Sequence, residues 1–391
     1  MMFAARTNLL RDRASRAPVT QIELFFDLVF AFAITQLSGT LRAHLTPVGV
    51  LHTLILFAAV WWVWVYTSWA TNWLHPDVIP VRLMLIVLTL AGLALSTSLP
   101  DAFGARGEMF ALAYVAMQVG RDVFVAWALR RFDRANFRNM SRITCWQSAA
   151  GLLWLAGGLL PPAHRIALWA LALAVDFAGP SCGYVVPGLG RSTTADWKID
   201  TYHMAERCAG FMFIALGESI TVTGATFYAL RWTAANAAAF VAAFIGIVAL
   251  WWIYFDKAAE RTAAAFARAD DPGRIARAGY TYLHAVLVAG IIVVAAADSL
   301  VLEHPHAGFS LEAACVTLGG PALYLAGNGV FRRMLAKRFA PSHLMGLLGF
   351  AVLALAAPFL PLLALAGLAS AALVAVTILA EVLMRRQEAA K

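Results

Sequence analysis

Glu206, Arg207 and Glu218 stand within one apolar, helix-length stretch from Tyr202 to Ala225, YHMAERCAGFMFIALGESITVTGA. A charged side chain in hydrocarbon costs about 2.5 kcal/mol or more on insertion scales, so such groups face a partner or a wet cavity and are functional candidates by default. Gly210, Gly217 and Gly224 recur every seventh residue of this stretch, on one face where another helix could approach closely. Ser219, Thr221 and Thr223 either add polarity beside Glu218 or bond back to their own helix. A packing seam with satisfied hydroxyls accounts for the glycines and hydroxyls. It does not account for Glu218, which is expected to line the protein interior close to the first helix.

A second constellation lies near the start of the chain, in ELFFDLVFAFAITQLS. Thr20-Gln-Ile-Glu23 is a capping-box pattern, so Glu23 has a helix-start reading beside a functional one. Asp27, one turn deeper on the same face, has no cap to serve. Phe25, Phe26, Phe30 and Phe32 surround it, and Arg207 is its natural basic partner. His203, one turn from Arg207, makes a second mixed-charge cluster. Arg121 and Asp122 are adjacent inside another apolar run. Their side chains leave the helix about 100° apart, so each is expected to pair with a different helix. Asp176 is an isolated acid deep in its segment, whereas Asp298 lies near a helix end, within reach of the outer interface.

Other constellations carry less chemistry. His284, and Glu303 with His304 and His306, lack an established ligand geometry, so no metal site is expected. Cys145, Cys182, Cys208 and Cys315 have no C-x-x-C spacing and read as small core hydrophobes, with neither a disulfide framework nor zinc. There is no G-x-x-x-x-G-K-[ST] phosphate loop, no H-E-x-x-H and no G-x-S-x-G. ATP-driven transport by this chain alone is not expected, and neither a catalytic set nor a cofactor is indicated. The run Trp61-Trp62-Val63-Trp64-Val65-Tyr66, with Trp69 and Trp73, reads as packing and an interfacial belt rather than a ligand cage.

The elements that must position these groups are membrane spans. The chain has 391 residues, 61% hydrophobic and 13% charged, with a mean hydropathy of +0.73, more than a soluble domain with a polar surface can carry. Apolar length and loop punctuation predict helices at 21–43, 49–71, 80–99, 108–130, 142–160, 164–186, 202–226, 236–256, 279–302, 311–332, 343–358 and 361–384. The expected fold is all-α, a polytopic membrane protein of about twelve transmembrane helices.

Charge orients them. Basic residues concentrate in alternate loops: the N-terminal segment, Arg82, Arg130 to Arg142, Arg191 with Lys198, Lys257 to Arg277, Arg332 to Arg338, and the C-terminus. The other loops hold only Arg42, Arg106, Arg165 and Arg231. Both termini are therefore expected in the cytoplasm, and the net charge of +8 reflects orientation rather than a nucleic-acid partner. The N-terminus has no apolar run followed by a small-residue cleavage site, so no cleaved signal is expected.

The two halves echo each other. ELFFDLVFAFAITQLS from Glu23 corresponds to ERCAGFMFIALGESIT from Glu206, Trp61-Trp62-Val63-Trp64 to Trp251-Trp252-Ile253-Tyr254, and Ala128-Leu-Arg-Arg131 to Gly329-Val-Phe-Arg-Arg333. The organisation expected is a basic segment at 1–20, six helices at 21–187, a linker at 188–200, six helices at 201–385 and a tail at 386–391. An even number of spans per half makes the repeats parallel, related by an axis along the membrane normal.

ELFFDLVFAFAITQLS at 23–38 and ALGESITVTG at 215–224 resemble the two signature segments of the bacterial low temperature requirement A family. The resemblance extends over nearly the whole chain, and Glu23, Asp27, Glu206 and Glu218 fall inside matching segments. It implies a multi-pass protein of the bacterial plasma membrane, linked by name to growth in the cold. It brings no substrate and no catalytic residues.

Buried acids and arginines with no energy-coupling domain fit a secondary transporter of a small solute, with protonatable carboxylates as couplers. Membrane lipid and that solute are then the partners. A non-transport stress component would hold the same charges as permanent ion pairs. An intramembrane enzyme on an apolar substrate would need a nucleophile or metal beside the carboxylates, and neither is found.

Overall fold

The computed structural model describes residues 9–11, 18–193, 199–256, 271–336 and 338–389. Among the described residues twelve long helices run in order: α1 (Gln21–Ala43), α2 (Pro47–Trp73), α3 (Ile79–Ser98), α4 (Gly107–Leu129), α5 (Arg134–Leu159), α6 (Pro162–Ser181), α7 (Thr201–Ala229) and α8 (Ala234–Phe255), then α9 (Gly273–Glu303), α10 (Leu311–Ala336), α11 (Pro341–Ala356) and α12 (Leu362–Ala389). Each falls on one of the twelve segments read from apolar length. The largest displacement is at α5, which begins at Arg134 because Asp133 caps it, accepting from the Asn136 N–H. Ten of the twelve are long and apolar enough to cross a membrane. The other two, α5 and α6, carry polar groups inside them, among them Arg138 and Asn139 in α5 and Arg165 and Asp176 in α6. The chain is an all-α polytopic membrane protein.

Proline starts several helices where its missing N–H costs nothing, in α3, α6 and α11. The α5–α6 corner is held by Arg165, a buried residue whose Nε donates to Gly157 O at 2.9 Å and whose Nη2 donates to Gly158 O at 3.2 Å. Its Nη1 reaches Ala102 O and Gly104 O at 3.0 and 2.7 Å. A guanidinium counted by sequence as a loop charge is thus a clamp on carbonyls that helix ends leave unsatisfied.

The chain divides into two compact units. The first takes the described residues of Met1–Gln36, Leu51–Gly210 and Asp270–Arg274; the second takes those of Leu37–Val50, Phe211–Ala269 and Ile275–Lys391. The division falls inside α1, α2, α7 and α9. In the first unit α3 packs on α4, α4 on α5 and α5 on α6. Its core is aromatic: Trp154 lies 4.5 Å from Tyr114 and 5.3 Å from Trp169 between ring centroids, and Phe110 lies 5.1 Å from Trp169.

In the second unit α8 packs on α12, α9 on α10, α10 on α11 and α11 on α12. Gly290 of α9 and Gly320 of α10 set the closest approach. A Cβ on Gly290 would lie 2.9 Å from Tyr324 N, and one on Gly320 would lie 2.9 Å from Val294 N. His284 is bonded by Tyr254 Oη at 2.8 Å and by Gly279 O at 2.8 Å, which occupies both ring nitrogens without a metal.

One expectation needs correction. The Gly210, Gly217, Gly224 face is not a tight seam: a Cβ on Gly217 or Gly224 would meet nothing within 4 Å, and one on Gly210 meets only Leu24 at 3.8 Å. A period of seven identifies a helix face but does not bring a neighbour to it. The tryptophan echo also joins unlike environments, since Trp61 and Trp62 are buried whereas Trp251 and Trp252 are exposed.

Candidate functional site

The first unit builds two buried polar networks. One forms where the N-terminal turns of α1 and α7 meet the last turns of α2. Asp27 accepts from Arg207 through both oxygens, with Oδ2 2.7 Å from Nη1 and Oδ1 2.8 Å from Nη2. Trp64 Nε1 adds a third donor to Oδ1 at 2.8 Å. Arg207 spends its remaining reach on Glu23 O at 3.0 Å and Ser68 Oγ at 3.2 Å, and its guanidinium lies 5.7 Å from the Trp64 ring centroid. A forked carboxylate–guanidinium pair with added donors is the geometry that makes a buried ion pair tolerable.

One turn toward the helix start, Glu23 is likewise surrounded. Its Oε2 accepts from Thr20 N at 2.9 Å, completing the reach-back half of the capping box, and from Arg11 Nη2 at 3.0 Å. Its Oε1 lies 2.9 Å from His203 Nε2. Glu23 therefore serves its helix start and also pairs with Arg11 and His203. Asn72 holds the other side of the histidine ring. Its Oδ1 accepts from Asp200 N at 3.0 Å and its Nδ2 donates to Asp200 O at 2.8 Å, so the amide orientation is set, and the same Nδ2 faces His203 Nδ1 at 3.2 Å. Asn72 thus asks Nδ1 to accept and Nε2 to carry a proton toward Glu23, whereas Arg11 Nη2, a donor 3.0 Å from the same Nε2, asks that nitrogen to accept. Arg11 is pinned by its Nε to Thr71 O and Leu74 O at 2.7 and 3.0 Å.

The second network runs through α2, α4, α5 and α6. Arg121 pairs with its own neighbour Asp122, Nε and Nη2 reaching Oδ1 at 3.0 and 2.8 Å. This overturns the expectation that each would pair with another helix. The long arginine stem spans the angle between adjacent positions, and Nη1 goes on to Gln118 Oε1 at 2.6 Å and Thr67 Oγ1 at 3.4 Å. Asp176 accepts at Oδ2 from Tyr114 Oη at 2.7 Å and Trp154 Nε1 at 3.1 Å. Gln118 Nε2 reaches Tyr114 Oη at 3.4 Å and closes the chain from Asp176 to Arg121. Asp122 Oδ2, Asp176 Oδ1 and both polar atoms of Gln147 are buried with no hydrogen-bond partner among the described residues.

The remaining candidates stand apart from these networks. Glu206 is exposed and accepts from Val19 N at 3.1 Å. Glu218 is half-buried in the second unit. Near it Ser219 and Thr221 bond back to Ala215 O and Gly217 O, the bland reading of those hydroxyls. Asp298 does not reach outward from its helix end; it lines a cavity of the second unit, and its Oδ2 is buried without a partner among the described residues. Glu303 pairs with Arg42 rather than joining His304 and His306. Among the described residues no group of three His, Cys, Asp or Glu side chains could hold a metal.

Several members of these networks carried a sequence signal that went unread. Trp64, Ser68 and Asn72 follow one another at i, i+4 along α2, and Tyr114, Gln118 and Arg121 share one face of α4. Polar atoms repeating at helical spacing inside an apolar span mark the side that faces buried charge.

The family described as bacterial low temperature requirement A protein (LtrA) matches residues 18–380. An uncharacterized protein, RA0937, of Rhizobium meliloti (strain 1021) is 37% identical over 340 residues, covering 87% of this chain and 83% of that protein. No solved structure matches the chain. The match takes in both buried networks apart from Arg11, and all but the ends of the helical chain, and on it the chain belongs to the bacterial low temperature requirement A (LtrA) family.

Proposed function

We propose that this chain is a secondary transporter of a small solute in the bacterial plasma membrane, proton-coupled through buried carboxylates, with both termini cytoplasmic. The observation that carries this reading is Asp176. It is buried, it accepts only from the neutral donors Tyr114 and Trp154 among the described residues, and its Oδ1 has no partner. A group of that kind holds a proton or a cation in one state and releases it in another, which is the work of a coupling site. The hydrogen-bonded chain Tyr114, Gln118, Arg121 links it to Asp122, whose Oδ2 is also unsatisfied. The alternation of basic loops supports the orientation, and the motif echoes support two parallel six-helix repeats.

A second reading rests on the other network. The Asp27–Arg207 fork and the Glu23–His203 pair are fully buried and each carboxylate is answered by a basic side chain, as in permanent structural pairs, although Arg207 Nε has no partner among the described residues. They favour a non-transport membrane component of growth in the cold. The two readings divide on flux. Protein reconstituted in vesicles loaded with a pH dye is given a panel of small solutes with and without a pH gradient. The transport reading expects proton movement with at least one solute, lost in Asp176→Asn while the fold is kept; Glu218→Gln, run beside it, reports whether that carboxylate also couples. Solute-independent traces throughout the panel would exclude proton coupling.

A further inference from the structure

We propose that Asp298 and Thr317, on the packed helices α9 and α10 of the second unit, form a binding site for a single sodium ion. The two residues line a cavity of about 20 Å³ together with Gly246 of α8, Pro321 of α10 and Ser370 of α12. That volume accepts one water molecule or one small ion. Asp298 Oδ2 and Thr317 Oγ1 are both buried without a hydrogen-bond partner among the described residues. Thr317 is only 4% exposed. Threonine inside a helix commonly bonds back to its own i−4 carbonyl, as Thr226 does to Val222 O at 2.9 Å. Thr317 does not, so its oxygen is left for something in the cavity.

The backbone adds a further oxygen. Pro321 sits inside α10 and has no N–H to give the carbonyl of Thr317, its i−4 partner. The turn bordering the cavity therefore has a carbonyl released from the helix ladder. Ser370 Oγ donates its hydrogen to Ala242 O at 2.9 Å, which leaves its lone pairs free to accept. Gly246 keeps room beside that hydroxyl, because a Cβ there would lie 2.9 Å from Ser370 Oγ.

These donors are all oxygens, the set a hard cation prefers, and they include one carboxylate with no basic side chain lining the cavity. A single negative charge balances a monovalent ion and leaves a divalent one undercompensated. The small volume disfavours an organic cation, and sodium rather than potassium is part of the proposal that the ion replacement below reads. Irregular or proline-released backbone that lines a cavity is also where membrane helices place ion-coordinating carbonyls.

The test reads binding without flux, so its outcome is separate from that of the transport reading. Thermal unfolding of the full chain in detergent is followed at mildly alkaline pH and constant ionic strength, with sodium replaced by potassium or choline. Sodium alone is expected to raise Tm along a saturable curve. Asp298→Asn should abolish the rise. Thr317→Val, which keeps the charge and the shape, should weaken the apparent sodium affinity by roughly tenfold or more, and it decides the matter if Asp298→Asn does not fold. A wild-type Tm indifferent to sodium, or an unchanged affinity in Thr317→Val, overturns the proposal. So does a Tm that rises with acidification in place of sodium, which would identify a protonated Asp298 bonded to Thr317.

Discussion

Asp27 and Arg207, 180 residues apart in the chain, meet as a two-pronged pair in which each guanidinium nitrogen finds a different carboxylate oxygen. Among the described residues neither has another charge of opposite sign as close, and both side chains are fully buried. Arg207→Met should therefore lower stability by about 3–5 kcal/mol, because it strands a buried carboxylate, whereas Asp27→Asn with Arg207→Met should recover most of that loss. Unfolding curves on the two single variants and the double variant measure the coupling. Additive losses would show that the pair is not the unit.

Trp64 is the smaller test of the same site. Trp64→Phe keeps an aromatic ring in the buried position and removes the N–H given to Asp27 Oδ1 at 2.8 Å. The expected loss is about 1–3 kcal/mol from the under-satisfied carboxylate, in addition to the smaller ring. In an Asp27→Asn background the same change should cost visibly less. An identical cost in both backgrounds would make Trp64 a packing residue alone.

The orientation read from loop charge can be checked with thiols. Cys145, Cys182 and Cys315 are exposed, so they are first replaced. Single cysteines are then placed at the exposed positions Ala105, Ala163 and His306, in loops expected outside. An impermeant maleimide added to intact cells should label all three. Protection at all three, with labelling after lysis, would reverse the orientation.

How far the sequence carries depends on the kind of interaction. Helix number and placement followed from apolar length, because a membrane span admits few alternatives. The Asp27–Arg207 pair was legible because two buried charges without local partners had to answer each other. The donors around Asp176 were not legible: Tyr114 and Trp154 look like packing until their polar tips are placed. Arg121 and Asp122 were assigned to other helices because backbone geometry was applied to a side chain long enough to defeat it. Asp298 was placed at an interface by its distance from a helix end. Its cavity depends on Thr317, Pro321 and Ser370, on two other helices that no local pattern joins to it.

Glycine gives the sharpest contrast between periodicity and packing, and the last prediction turns on it. Gly217 lies on the seven-residue repeat that suggested a seam, yet a Cβ there meets nothing within 4 Å. Gly290 belongs to no such repeat, but a Cβ there would press on Tyr324 N at 2.9 Å and Gly320 O at 3.0 Å. Both contacts are backbone of α10, which cannot swing aside as a side-chain tip can. Gly290→Ala should therefore push α9 off α10 and lower stability by about 1–3 kcal/mol. Gly217→Ala should be neutral or stabilising by about 0.5–1 kcal/mol, since alanine loses less backbone entropy in a helix. Thermal unfolding of the two variants side by side reads the difference. A loss at Gly217 as large as that at Gly290 would mean that a second molecule covers the α7 face.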